Sequence, residues 1–216
     1  MIKRLLISSI LLFGFYYIIF FSHISKEWTL IFKVIPMILI VILAAIHKAP
    51  HIRKYQLLII IGLIFCLIGD YTLQWFLVGL TSFLIGHIFY IFAFLSTNER
   101  TLLTWGKIAL LLYGAIIAAW IVTAVFSSGE IVLTFAVLAY ISIILLMGWT
   151  SIRTGTPFAL IGALLFISSD SYLAINKFVM PLPYSHEVIM LTYYSAQLLI
   201  ALSIHQYAEI QNKMLQ

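Results

Sequence analysis

Apolar residues run along this chain in long stretches separated by short polar breaks. Eight stretches are long enough to cross a bilayer, at about 5–22, 28–46, 56–75, 76–95, 107–126, 130–149, 157–176 and 187–206. A helix of roughly 20 apolar residues spans the hydrocarbon layer. Inside that layer the backbone finds no water to bond, so each stretch is predicted to be a helix. The breaks hold the expected punctuation: Ser127-Ser128-Gly129, Thr154-Gly155-Thr156-Pro157 and Pro181-Leu182-Pro183. The third and fourth stretches are joined by almost nothing, which makes their boundary the least defined. The expected fold class is all-α, a polytopic membrane protein. One transmembrane domain over residues 1–216 would form a bundle of about eight transmembrane helices.

Composition agrees. Of 216 residues, 64% are hydrophobic and 9% charged, against about 25% charged in soluble domains. No room is left for a separate soluble domain. The net charge of +5 is therefore not the footprint of a nucleic-acid binder, and no nucleic-acid partner is expected. In so apolar a chain, basic residues mark cytoplasmic loops. Eight spans put both termini on one side. That side would hold Lys3, Arg4, Lys48, Arg53, Lys54, Arg100, Lys107, Arg153 and Lys213, and the other only Lys26 and Lys177, with Lys33 inside a span. The asymmetry predicts a multi-pass protein with both termini cytoplasmic, and the expected location is a bacterial cell membrane. Trp28 and Trp75 would lie at the outer boundary, Trp105 and Trp149 at the inner one, and Trp120 within two turns of the outer one. The start, Met1-Ile2-Lys3-Arg4 before an apolar run, resembles a signal peptide. The run is long and no small-x-small cleavage site follows, so it is read as an uncleaved first span. The single cysteine, Cys66, excludes an internal disulfide.

Against this background the charges inside spans stand out. The chain has two aspartates, Asp70 and Asp170, and both fall in apolar stretches. A carboxylate at membrane depth costs about 3 kcal/mol on insertion scales, so such residues face the bundle interior and are functional candidates. In the predicted topology both lie five to six residues from the outer end of their spans, or roughly 7–9 Å deep at 1.5 Å per residue. Lys33 is expected at the same height. His87 is nearer the middle, with Tyr90 on the same face. Gly62 precedes Asp70 by eight residues and Gly162 precedes Asp170 by eight. A parallel duplication of a four-helix unit would produce this, although the intervening residues match poorly.

Structural roles compete with functional ones. Lys33 could neutralise one aspartate as an ion pair, which leaves the second unexplained. His87 could be a hydrogen-bonded core histidine. Gly69, Gly86 and Gly162 could serve close helix contact, and Tyr193, Tyr194 and Gln197 could be interhelical glue. No metal site is expected, because His23, His47, His51, His186 and His205 lie in loops or at helix ends and no histidine pair within a span has ligand spacing. No cofactor is expected either.

Several segments together resemble the YhhN family, the lysoplasmalogenase group of eight-span membrane proteins. They are Gly162 to Asp170, Ala174 to Phe178, Pro181 to Ser185, Ile189 to Gln197 and Ala201 to Ser203. Upstream, Gly69-Asp70 with Leu73 and Trp75, Gly86-His87 to Tyr90 with Ala93-Phe94, Lys33 to Pro36, and Met147 to Trp149 are also similar. The similarity covers roughly residues 30–205, in order and on six helices. It implies hydrolysis of the vinyl ether bond of a lysoplasmalogen to a fatty aldehyde and a glycerophospho-head group, ethanolamine or choline. The family's two essential aspartates map onto Asp70 and Asp170. The family also has bacterial members, and many aerobic bacteria make no plasmalogen, which leaves the natural lipid open.

The residues suit that chemistry independently. A vinyl ether is acid-labile: a proton added to the carbon β to oxygen leaves an oxocarbenium ion, and water then adds to the carbon next to oxygen. Glycosidases meet the same cationic problem with two carboxyls. Two aspartates in one layer of low dielectric resist ionising together, so one can hold the proton and the other the charge. They form a coupled pair, and which is the acid stays open. No nucleophile triad is needed and none is seen: Ser168, Ser169 and Ser171 lie near Asp170, but only His87 could serve them as base. Lys33 could also bind phosphate, and Asn176, Lys177 and Tyr184 are candidate head-group contacts, with His87, Tyr90, Tyr193 and Gln197 completing the candidate substrate site. The expected partners are a lysophospholipid and the bilayer. The alternative is a proton- or cation-coupled transporter of a small molecule or lipid that uses the buried Asp pair. A closed lipid-sized pocket, rather than a continuous polar path, would separate the two.

Overall fold

The computed structural model describes residues 2–23, 25–47, 50–97 and 104–214. Lys48 and Arg100 of the charge count lie outside the described residues. Eight helices follow one another: α1 (Ile2–Phe20), α2 (Lys26–Ala45), α3 (Arg53–Thr72), α4 (Phe76–Leu95), α5 (Thr104–Ser127), α6 (Ile131–Ile152), α7 (Pro157–Phe178) and α8 (Ser185–Met214). All eight are long and apolar enough to cross a membrane, and there is no strand among the described residues. The protein is thus an all-α, multi-pass membrane protein. Each predicted span corresponds to one helix. The main difference is α8, which continues past the expected end at 206 through polar residues including Glu209, Gln211 and Lys213.

The breaks have visible causes. Gly129 and Gly155 adopt φ of +82° and +67°, the left-handed region that only glycine enters without strain. They end α5 and α6. Pro157 opens α7, where its missing N–H costs nothing, and the Gln206 side chain accepts from the Phe158 N–H at 3.0 Å. The α3–α4 link is only Leu73, Gln74 and Trp75. A Cβ on Gly79 would lie 2.6 Å from the Leu73 Cα, so this hairpin closes tightly because residue 79 has no side chain.

The most extensive packing is between α3 and α4 and between α7 and α8. Both pairs use the same device. A Cβ on Gly62 would meet the Tyr90 ring at 2.4 Å and the Gly86 carbonyl at 3.0 Å, and one on Gly162 would meet Ile200 at 2.9 Å and the Ala196 carbonyl at 3.0 Å. In lipid, where burial of apolar surface gives no drive to associate, such close backbone approach is what holds helices together. The two aspartate-bearing helices are therefore each clamped to the next helix through the glycine eight residues upstream. α8 also packs on α1, α2 and α3, while α6 packs on α4, α5 and α7. These contacts close the bundle around a space at one end, beside the α1–α2, α3–α4 and α7–α8 links. Here this is called the cavity end, and the opposite one the terminal end.

Candidate active site

A cavity of about 270 Å³ opens at the cavity end, and every one of the eight helices contributes to its wall. Most of the wall is apolar: Leu73 comes from the α3–α4 link, Phe76, Leu80 and Phe83 from α4, Ile117 and Ile121 from α5, and Val137, Ile141 and Ile144 from α6. Asp70 and Asp170 both reach it. Asp70 is two residues from the end of α3 and Asp170 eight from the end of α7, or about 3 and 12 Å along the axes. The equal offsets expected from the span ends are therefore not observed, because α3 stops three residues earlier and α7 runs two residues further than predicted. The helices nonetheless bring both carboxyls to one space.

Their surroundings differ. Asp70 is buried, and its two oxygens are both engaged: Lys33 Nζ lies 3.2 Å from Oδ1, and the Tyr193 hydroxyl donates to Oδ2 at 2.6 Å. Lys33 also donates to the Asp70 carbonyl at 3.2 Å, and the Tyr194 hydroxyl donates to the Lys33 carbonyl at 2.7 Å. This chain of bonds ties α2, α3 and α8 together. An ion pair out of water holds only when remaining lone pairs are also satisfied, and Tyr193 does that here. Asp170 has no ion pair among the described residues. Its Oδ2 accepts a short hydrogen bond from the Tyr140 hydroxyl of α6.

Of the residues singled out from sequence, Asp70, Asp170, Lys33, Lys177 and Tyr193 line the cavity. Lys177 is exposed at the rim, with its ammonium 4.4 Å from the centre of the Phe76 ring. The other five stand elsewhere. His87 is fully buried behind the wall, with ring centres 4.5 Å from Phe166 and 5.5 Å from Tyr140. Neither of its ring nitrogens has a hydrogen-bond partner among the described residues. It is a core histidine, but not the hydrogen-bonded one anticipated. The Tyr90 hydroxyl donates to Gln197 Oε1 at 2.6 Å, a buried bond between α4 and α8. Asn176 accepts from the Leu182 N–H at 2.8 Å and so fastens the turn after α7. Tyr184 is 77% exposed, with φ of +52°. None of these five lines the cavity.

Tyr140, Tyr17 and His186 were not anticipated, yet all line it. Tyr17 and Tyr140 interrupt otherwise apolar runs, and that was their only signal. No group of three His, Cys, Asp or Glu able to hold a metal ion occurs among the described residues.

A profile of the YhhN family matches residues 28–204, from the start of α2 to the polar extension of α8. The chain belongs to the YhhN family. Among curated proteins, lysoplasmalogenase TMEM86A of Bos taurus is 32% identical over 217 residues, covering 87% of this chain and 83% of that protein. The Homo sapiens TMEM86A protein is 31% identical with the same coverage. Lysoplasmalogenase TMEM86B of Rattus norvegicus is 31% identical over 206 residues, covering 94% of this chain and 84% of its own. No solved structure matches significantly. The YhhN match contains every polar residue of the cavity except Tyr17, which α1 adds from outside it.

Proposed function

We propose that this YhhN protein is a lysoplasmalogenase-like hydrolase that cleaves the vinyl ether bond of a lysoplasmalogen, with Asp70 and Asp170 as its acid–base pair. The observation that carries this reading is that two carboxyls from separate helices meet in one cavity whose wall is otherwise mostly apolar. Its resemblance to proteins named lysoplasmalogenase supports the same chemistry. The products are a fatty aldehyde and glycerophosphoethanolamine or glycerophosphocholine.

The wall has two regions that suit a single-chain lipid. Ile117, Ile121, Val137, Ile141 and Ile144 of α5 and α6 form an apolar side for the alkenyl chain. Lys177 at the rim and His186 of α8 lie toward the cavity end, where a phosphate would sit. The vinyl ether joins chain to glycerol and would lie between them, beside the aspartates. One carboxyl protonates the β carbon, and the other stabilises the cation and takes a proton from water. The basic residues then orient the protein with its termini in the cytoplasm and the cavity end in the opposite leaflet.

Transport is less well supported. A second cavity, of about 230 Å³, lies at the terminal end among Lys107, Trp149, Thr150 and Arg153, and it shares no lining residue with the first. A through-path would need the two to connect. The test uses purified protein in detergent with a lysoplasmalogen and scores fatty aldehyde release. Release by the wild type and loss in both Asp70→Asn and Asp170→Asn is expected. A well-folded wild type that releases none, while moving protons or cations in liposomes, would favour transport instead.

A further inference from the structure

Resting on the hydrolase reading, we infer that the two aspartates have different, fixed roles: Asp170, held by Tyr140, delivers the proton to carbon, and Asp70, held charged by Lys33 and Tyr193, receives the proton of the attacking water. Lys33 thereby serves as the counter-ion of the base, and Tyr140 is a positioning residue for the acid.

Three features of the cavity carry the assignment. First, Asp70 Oδ1 faces an ammonium at 3.2 Å and its Oδ2 accepts a phenol proton at 2.6 Å. Both oxygens act as acceptors, which suits a carboxylate at rest, and each keeps a second lone pair that can take the proton of water. Second, Asp170 has no cation partner among the described residues. The nearest lysine along α7, Lys177, is seven residues on, with its ammonium over the Phe76 ring. A carboxylate left unpaired in an apolar wall is costly, and protonation removes that cost. Tyr140 occupies Oδ2, so the proton belongs on Oδ1. Third, each aspartate is in the right place for its step. Tyr140 shares α6 with Val137, Ile141 and Ile144, the wall suited to the alkenyl chain, and the carbon to be protonated is the second carbon of that chain, β to the ether oxygen. Asp70 touches Lys33 and Tyr193, and the rings of Tyr17 and His186, 5.2 Å apart, line the same cavity, which suits water and glycerol.

The steps balance. The alkene electron pair takes the Asp170 proton and forms the new C–H bond, leaving the Asp170 carboxylate beside the oxocarbenium ion. Water bonds to the carbon bearing oxygen and gives one proton to Asp70. In the collapse of the hemiacetal, Asp70 returns that proton to the glycerol oxygen as the C–O bond breaks. Asp170 takes the remaining hydroxyl proton, so both groups end as they began. Water is the only co-reactant.

Infrared spectroscopy of the resting protein in detergent at neutral pH tests the assignment without substrate. The wild type is expected to show the carbonyl stretch of one protonated carboxylic acid. That band disappears in Asp170→Asn and persists in Asp70→Asn. Tyr140→Phe, which removes the bond to Asp170, moves the band, while Tyr193→Phe leaves it in place. Lys33→Met adds a second band as Asp70 loses its counter-ion. Should an Asn variant fail to fold, the paired Tyr→Phe variants still decide. A band lost in Asp70→Asn, moved by Tyr193→Phe alone, or missing from the wild type overturns the assignment. Aldehyde release by the wild type is scored separately, so a failure of the hydrolase reading and a failure of the role assignment are told apart.

Discussion

Removing either carboxyl should stop the reaction while leaving the fold. Asp70→Asn and Asp170→Asn keep the size of the side chain and one acceptor oxygen, but put an NH2 donor in place of the other oxygen and cannot exchange a proton. General acid–base groups contribute about 10²–10⁴-fold each. Aldehyde release should fall by about 10³-fold in either variant, and by little more in the double variant, because the two act as one unit. His87 gives the opposite case. Its ring is packed against Phe166 and Tyr140, it makes no hydrogen bond among the described residues, and it does not reach the cavity. His87→Phe is expected to keep aldehyde release within about tenfold of wild type. A loss as deep as that of the Asp variants would return His87 to the catalytic machinery. The two aspartates were legible in the sequence because charge in an apolar run costs too much to be accidental. Tyr140 and His186 were not, because a tyrosine in a span is ordinary and a histidine at a helix end is more so. Only the fold shows that their polar atoms reach the carboxyl or the cavity.

Between elements the decisive contacts involve residues without side chains. Gly162 lets α7 approach Ala196 and Ile200 of α8, and Gly62 lets α3 approach Gly86 and Tyr90 of α4. Overfilling a packed site typically costs 1–3 kcal/mol. Gly162→Val is expected to lower stability by about 3 kcal/mol, read as a lower unfolding temperature in detergent. It should lower activity through lost protein rather than lost chemistry. Gly129→Val, with open space around its Cβ but a left-handed φ, should cost less, about 1 kcal/mol of backbone strain. The α6 wall carries a different prediction. Ile141→Trp would fill the chain side of the cavity, so hydrolysis of long-chain substrate should fall at least tenfold while a short-chain analogue is spared. Equal loss for both lengths would mean that the chain lies elsewhere. Helix number and most ends were readable from hydropathy and from Gly and Pro at the breaks. The length of α8 was not, because its last two turns are polar and a span count stops where the apolar run stops.

For the molecule as a whole, the placement of Lys and Arg makes a claim about direction that hydrolysis does not need. With Cys66 buried and the only cysteine, single cysteines report sidedness cleanly. In intact cells Ser128→Cys, in the α5–α6 turn, should react with an impermeant maleimide, and Lys213→Cys should not. The reverse pattern would put the cavity end in the cytoplasmic leaflet and leave the chemistry untouched. Three properties followed from sequence alone: eight spans, the costly carboxyls, and a family whose motifs recur in order. Each depends on residue type and spacing along one chain, through the thickness of the bilayer and the expense of charge within it. The tertiary structure alone decided which helices touch, that all eight share one cavity, and that Lys33 pairs with Asp70 while, among the described residues, Asp170 receives only Tyr140. Lipid is as apolar as the helix surfaces it covers, so hydropathy carries no record of which face meets which neighbour. That choice rests on small residues and a few hydrogen bonds between positions 30 to 160 residues apart, and it becomes visible only when the chain is folded.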